Sequence, residues 1–224
     1  MKTIKIAFLF IFISATAFSQ ITQINNLDDM FNLKNDVDLI NSRQNDPNIK
    51  GSPFIHSDYQ NIKIKGVSMK GKYNANLDYI EIDNNGKIVF FGPTFEHRYN
   101  VVFTDTKTTY RAFEYEKLKL GFFKVLAEKD NAYLLSRQFI KFNKGTKALD
   151  NFSRNKPAKF ERKKDVHYIK LSTQDVVIKL PTKKSKFLKI FNSDKLKNYI
   201  KKERLSIKKE DDLIQIFKYY NSVK

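Results

Sequence analysis

The chain of 224 residues has no cysteine and no tryptophan, and only seven glycines and five prolines. Without cysteine there is no disulfide, no thiol nucleophile, no thiolate zinc site, no iron–sulfur cluster and no diacylglyceryl anchor of the lipoprotein kind. So few glycines leave little material for a phosphate-cradling loop, and neither G-x-S-x-G nor H-E-x-x-H occurs. No apolar run reaches the roughly 18 residues that a membrane-spanning helix needs. Acidic residues are scarce in the second half: residues 111–224 hold thirty Lys or Arg against thirteen Asp or Glu, whereas residues 20–110 hold ten against eleven. The formal net charge of +18 therefore belongs almost wholly to the second half. Such an excess speaks of partners and solubility, not of fold.

The longest oily stretch is at the start, "MKTIKIAFLFIFISATAFSQ". Lys2 and Lys5 precede an apolar run from Ile6 to Ile13, and small residues follow from Ser14 to Ser19. That order is the grammar of a secretory signal peptide. Residues 1–19 are expected to be removed, leaving Gln20 first; cleavage after Ala17 is the alternative, and an uncleaved anchoring start the plainer one. An exported chain, periplasmic or secreted, follows from this reading.

Residues 20–50 are polar, rich in Asn and Asp, and read as a loose N-terminal arm. Period-two patterning then marks residues 51–181 as an antiparallel β domain of about eight strands. "LDYIEIDNNGKIVFF" is the clearest hairpin, with Ile80 and Ile82 on one side, Glu81 and Asp83 on the other, and Asn84-Asn85-Gly86 as the turn. A second hairpin turns at Asp105-Thr106-Lys107, with Val101, Phe103, Tyr110 and Phe113 as its inward residues. A third turns at Lys129-Asp130-Asn131, and "VHYIKL" pairs with "VVIKL" across Ser172–Asp175.

After Pro181 the period becomes helical. Phe187, Leu188, Ile190 and Phe191 make a short apolar-faced turn. Ser193 is a suitable N-cap for a helix with Leu196, Tyr199 and Ile200 inward, and Leu213, Ile216, Phe217 and Tyr220 line the last helix. Residues 182–224 thus read as a helical hairpin packed on the sheet. The fold class expected is α+β, with a hairpin-built antiparallel sheet, curled or barrel-like, before a C-terminal helical pair.

The Gly-Ser-Pro entry (Gly51 to Pro53), the Tyr-Asn pair (Tyr73-Asn74) and the Tyr-Tyr-Asn of Tyr219 to Asn221 carry a resemblance that covers nearly all of residues 20–224. On these the chain resembles a group of exported, β-rich proteins of Gram-negative, AT-rich bacteria with no assigned activity. The resemblance implies an envelope protein of hairpins followed by helices, and it brings no catalytic residue.

Candidate chemistry is thin. His56 and Asp58 have a spacing that metal sites use, but no third ligand lies near them in sequence. His97, between Glu96 and Arg98, could move a proton. Glu81 and Asp83, with Asp78 nearby, are paired carboxylates of the type that glycosidases use, although their alternation with Ile80 and Ile82 suits a solvated sheet face. The strongest local signal is "RNKPAKFERKK" at 154–164, where only Glu161 opposes six cations. Arg154, Lys156, Lys159, Arg162, Lys163 and Lys164 are the candidate anion-binding residues. Further cationic clusters follow at Lys183, Lys184, Lys186 and Lys189, at Lys201, Lys202 and Arg204, and at Lys208 and Lys209. The export reading favours anionic lipid, lipopolysaccharide or acidic polysaccharide as partner and disfavours nucleic acid, for which no binding motif is present. Lysine used only for solubility is the plain alternative. The expectation is a non-enzymatic, envelope-associated binding or structural module with no cofactor and no metal. The runner-up is an extracytoplasmic hydrolase built around His97 and nearby carboxylates.

Overall fold

The computed structural model describes residues 48–84, 86–93, 99–116, 118–146 and 155–223. The expected signal peptide, most of the expected N-terminal arm, His97 and Arg154 lie outside the described residues.

The fold is α+β, as expected. Ten strands make one antiparallel sheet: β1 (Gln60–Ile64), β2 (Val67–Asn74), β3 (Tyr79–Asn84), β4 (Lys87–Phe91), β5 (Val101–Phe103), β6 (Thr108–Glu116), β7 (Lys119–Ala127), β8 (Ala132–Arg137), β11 (Val166–Leu171) and β12 (Ile178–Lys179). Two more, β9 (Ile140–Asn143) and β10 (Lys159–Arg162), form a separate ribbon. Three helices follow: α1 (Lys184–Phe191), α2 (Asp194–Lys202) and α3 (Glu210–Val223). The strand order is β12-β11-β8-β7-β6-β5-β1-β2-β3-β4.

Local chemistry explains most of the turns. Lys65 and Gly66 both take positive φ, 50° and 84°, which matches the twist of the two-residue β1–β2 turn. At the β3–β4 turn, Asp83 Oδ1 accepts the Gly86 N–H at 2.7 Å, and Gly86 sits at φ 88°. The expected helical pair is in fact three helices. Asn192, at φ 42°, ends α1 with its N–H on the Leu188 carbonyl, and the Ser193 hydroxyl then accepts the Leu196 N–H at 3.2 Å to start α2. The apolar turn read at 187–191 is the second half of α1.

The sheet is not closed into a barrel: β4 and β12 are its two edges. It is nonetheless rolled. In a flat sheet β4 and β7, six places apart in the order, would be about 29 Å from each other. The rings of Phe91 on β4 and Phe122 on β7 have centroids 5.9 Å apart, and Tyr73 on β2 lies 4.7 Å from Tyr110 on β6. Rings fill the interior of the roll: Tyr73, Phe91, Phe103, Tyr110 and Phe122, all buried, with Ile62, Ile64, Ile80 and Ile82.

The other half of the sheet buries side chains on both of its faces. One side meets the helices, where Ala132, Leu134, Ile169 and Leu171 pack on Phe187, Leu196, Ile200, Leu213 and Phe217. The opposite side carries Phe113, Phe123, Leu135 and Val177. Phe113 was expected to share a face with Val101, Phe103 and Tyr110. It does not, because period two puts Tyr110 and Ala112 into the roll and sends Phe113 outward.

Candidate functional site

The basic stretch at 154–164 is partly structural. Its centre is strand β10, which pairs with β9 from Lys159↔Asn143 to Arg162↔Ile140. Phe160 turns inward against the roll, its ring centroid 5.0 Å from that of Phe142. Gly51, at φ +82°, lies so close to this strand that a Cβ there would sit 2.7 Å from the Phe160 carbonyl oxygen. Arg162 donates to the Phe139 carbonyl at 3.2 Å and to the Lys163 carbonyl, and its second amino group pairs with Asp165. Lys163 pairs with Glu161 at 2.9 Å, and hydrogen bonds from Lys163 and Asn143 hold the Glu161 carboxyl below its ordinary range. Arg162 and Lys163 are therefore partly neutralised. Lys156, Lys159 and Lys164 are exposed, and no ion pair holds any of them among the described residues. Arg154 lies outside the described residues, so the six candidates are not seen together.

The carboxylates divide into separate roles. Glu81 is buried, against the expectation of a solvated face. The reason is the segment before β1, which lays Phe54 and Tyr59 over it. Lys72 pairs with Glu81 at 3.1 Å while its ammonium sits 4.0 Å from the Phe54 ring centroid and 4.5 Å from that of Tyr59. The Tyr59 hydroxyl also donates to Glu81, and burial with this neighbour pushes the phenol well up. Asp83 is occupied by the β3–β4 turn. Glu81 is thus an internal carboxyl already partnered by Lys72 and Tyr59. His56 and Asp58 are exposed, His167 pairs with Glu210 at 2.9 Å, and no group of three or more metal-ligating side chains forms among the described residues. His97 lies outside them.

Asp78 has a different role, which no sequence spacing disclosed. It sits at φ 61° in the β2–β3 turn. Its Oδ1 accepts the Tyr73 hydroxyl at 2.8 Å and the Phe122 N–H at 3.2 Å, while Oδ2 accepts Arg137 at 3.0 Å. Burial pushes this carboxyl up, and Arg137 pulls against that. Arg137 lies 4.0 Å over the Tyr115 ring. Gly121 makes room, since a Cβ there would be 2.9 Å from Asp78 Oδ2 and 3.1 Å from the guanidinium. The carboxylate thereby closes the roll where a backbone ladder does not: β8 pairs with β7 only from Lys124 onward, and Asp78 takes up the free N–H at Phe122.

The Gly-Ser-Pro and Tyr-Asn motifs meet at this same end. Ala75 N–H donates to the Pro53 carbonyl and Ile55 N–H to the Tyr73 carbonyl, each at 3.0 Å. The Asn74 side chain accepts the N–H groups of Asn76 and Leu77, both at 3.0 Å. These motifs are architectural.

The helical layer holds the larger set of cations. Residues 183–209 contain ten Lys and Arg204 against Asp194 and Glu203. All eleven cations are exposed. Among the described residues one ion pair engages them, Lys202 with Glu203 at 3.8 Å. Of the three acids that begin α3, two are spent elsewhere, Glu210 on His167 and Asp212 on the Ser206 N–H at 2.8 Å, while Asp211 is exposed. Sequence reading saw these lysines as clusters added to the 154–164 stretch; the structure gives them more free charge than that stretch has. No protein-family model, no curated protein and no solved structure matches the chain.

Proposed function

We propose that the protein is a non-enzymatic, exported, envelope-associated binding module that contacts anionic groups through its basic second half. The observation that carries this reading is the set of exposed cations at 183–209, held by a single weak ion pair among the described residues. Close like charges repel each other and raise the local potential, and a polyanion relieves both. The rolled sheet supports an outer contact rather than an enclosed ligand, because rings fill its interior. The leader sequence supplies the address, beyond the inner membrane, where phosphate- and carboxylate-bearing lipids and polysaccharides are the abundant anions.

The test is retention of the protein on immobilised heparin, used as a generic polyanion, with elution by a salt gradient. Retention at about 50 mM salt and release well before 1 M is the expected result, since screening shortens from roughly 14 to 3 Å over that range. Passage through the column without delay at the low-salt end would end the proposal.

A further inference from the structure

The partner and the contacting face can be narrowed, resting on the reading above. We propose that the helical layer, α1 and α2 with the link to α3, is the docking face, and that its partner is the surface of an anionic phospholipid bilayer.

Four observations lead there. The cations are lysines in ten cases of eleven. Lysine is a flexible point charge, suited to a diffuse array of headgroup phosphates, whereas a defined carboxylate or phosphate site favours the rigid fork of arginine. The helices bury their apolar stripes on β8 and β11 and leave Lys184, Lys186, Lys189, Lys195, Lys197, Lys201 and Lys202 to solvent. On α2 the turn angle sets Lys197 and Lys201 to one side of the Leu196–Ile200 stripe and Lys195 and Lys202 to the other. Cations therefore flank the whole solvent face.

The rings of the layer do not suit a saccharide. Tyr199 on α2 and Tyr219 on α3 stack on each other, with centroids 3.7 Å apart and planes within 3°. A sugar held by stacking needs an open aromatic face, and here each ring covers one face of the other. Phe187, Phe191 and Tyr220 are buried. Finally, the exposed large apolar residues of the described chain are Val67, Leu77, Ile88 and Leu118, none of them in the helical layer. Nothing there would enter the acyl region. The contact is adsorption onto headgroups, with lysine stems lying along the surface and ammonium groups on phosphates.

The experiment uses sedimentation with vesicles of half phosphatidylglycerol and half phosphatidylcholine, and with pure phosphatidylcholine. Two variants are compared with the unaltered protein. One combines Lys186→Gln, Lys189→Gln, Lys197→Gln and Lys201→Gln; the other combines Lys156→Gln, Lys159→Gln, Lys163→Gln and Lys164→Gln. Thermal unfolding of each checks the fold, which surface exchanges of this kind leave nearly unchanged. The unaltered protein is expected to sediment with the anionic vesicles alone and to come off at about 0.5 M salt. The helical variant is expected to partition at least ~100-fold more weakly, and the β10 variant to change far less. Equal losses in both variants, or a loss confined to the β10 variant, would overturn the choice of face. Retention on heparin without vesicle binding would overturn the lipid assignment and leave the polyanion reading standing; failure on both would remove the two together.

Discussion

Single residues hold this fold at places where backbone pairing stops. Asp105 is one. Its carboxylate accepts the Asn61 side-chain amide at 2.8 Å and the Asn61 N–H at 2.9 Å, tying the β5–β6 turn to β1. These bonds hold its carboxyl below the ordinary range. A depressed carboxyl adds stability above the unfolded-state value and loses it as the pH falls through the folded value. Asn61→Ala is therefore expected to raise the Asp105 midpoint part of the way to its ordinary value, followed by NMR of the carboxyl carbon. A midpoint that does not move would refute the clamp. At this scale the sequence was half legible. Asn-Asn-Gly announced its turn because positive φ has a residue signature. The Asp78–Arg137 bridge spans 59 positions, and no local rule connects its ends.

Among the elements, α3 reaches the backbone of the sheet through the side chain of Asn221. Asn221 accepts the Ala132 N–H at 3.0 Å and donates to the Ala132 carbonyl at 2.9 Å, so a buried amide imitates a neighbouring strand at the start of β8. Asn221→Ala leaves both backbone groups without a partner, at a cost of about 1–3 kcal/mol. The urea midpoint is expected to fall and exchange of the Ala132 amide to quicken; an unchanged exchange rate would show the clamp to be dispensable. The last residue of the Tyr-Tyr-Asn motif thus has a structural reason. Hairpins were readable wherever apolar and polar residues alternate around a turn. Strand β10 was not, because in Lys159-Phe160-Glu161-Arg162 one inward ring stands among three charges. The β6–β7 hairpin was missed too, since the chain between Glu116 and Lys119 has neither glycine nor asparagine to mark a turn.

In the whole molecule, helices and sheet share one apolar cluster, with Phe217 fully buried among strand and helix residues. Phe217→Ala is expected to cost about 3–5 kcal/mol. Helical and tyrosine signals should then lose their urea midpoints together, as cooperative unfolding requires. A helical signal that falls alone would mean that the layers are energetically separate. The class, strands before helices, was open to sequence because the hydrophobic period changes at Pro181. The rolling was not. β1 lies between β5 and β2, and Phe91 meets Phe122 across six strand positions, relations that depend on long-range closure.

The brevity of β12 has its own consequence. This margin of the sheet offers two residues, Ile178 and Lys179, and the Leu180 N–H already serves the His167 carbonyl. Pro181 comes next, with no N–H to lend. A foreign chain arriving there finds almost no rim on which to template itself. Strand-by-strand polymerisation is thereby blocked along this border, and a lysine-rich protein crowded against like copies gains a safeguard against fibre growth from that side.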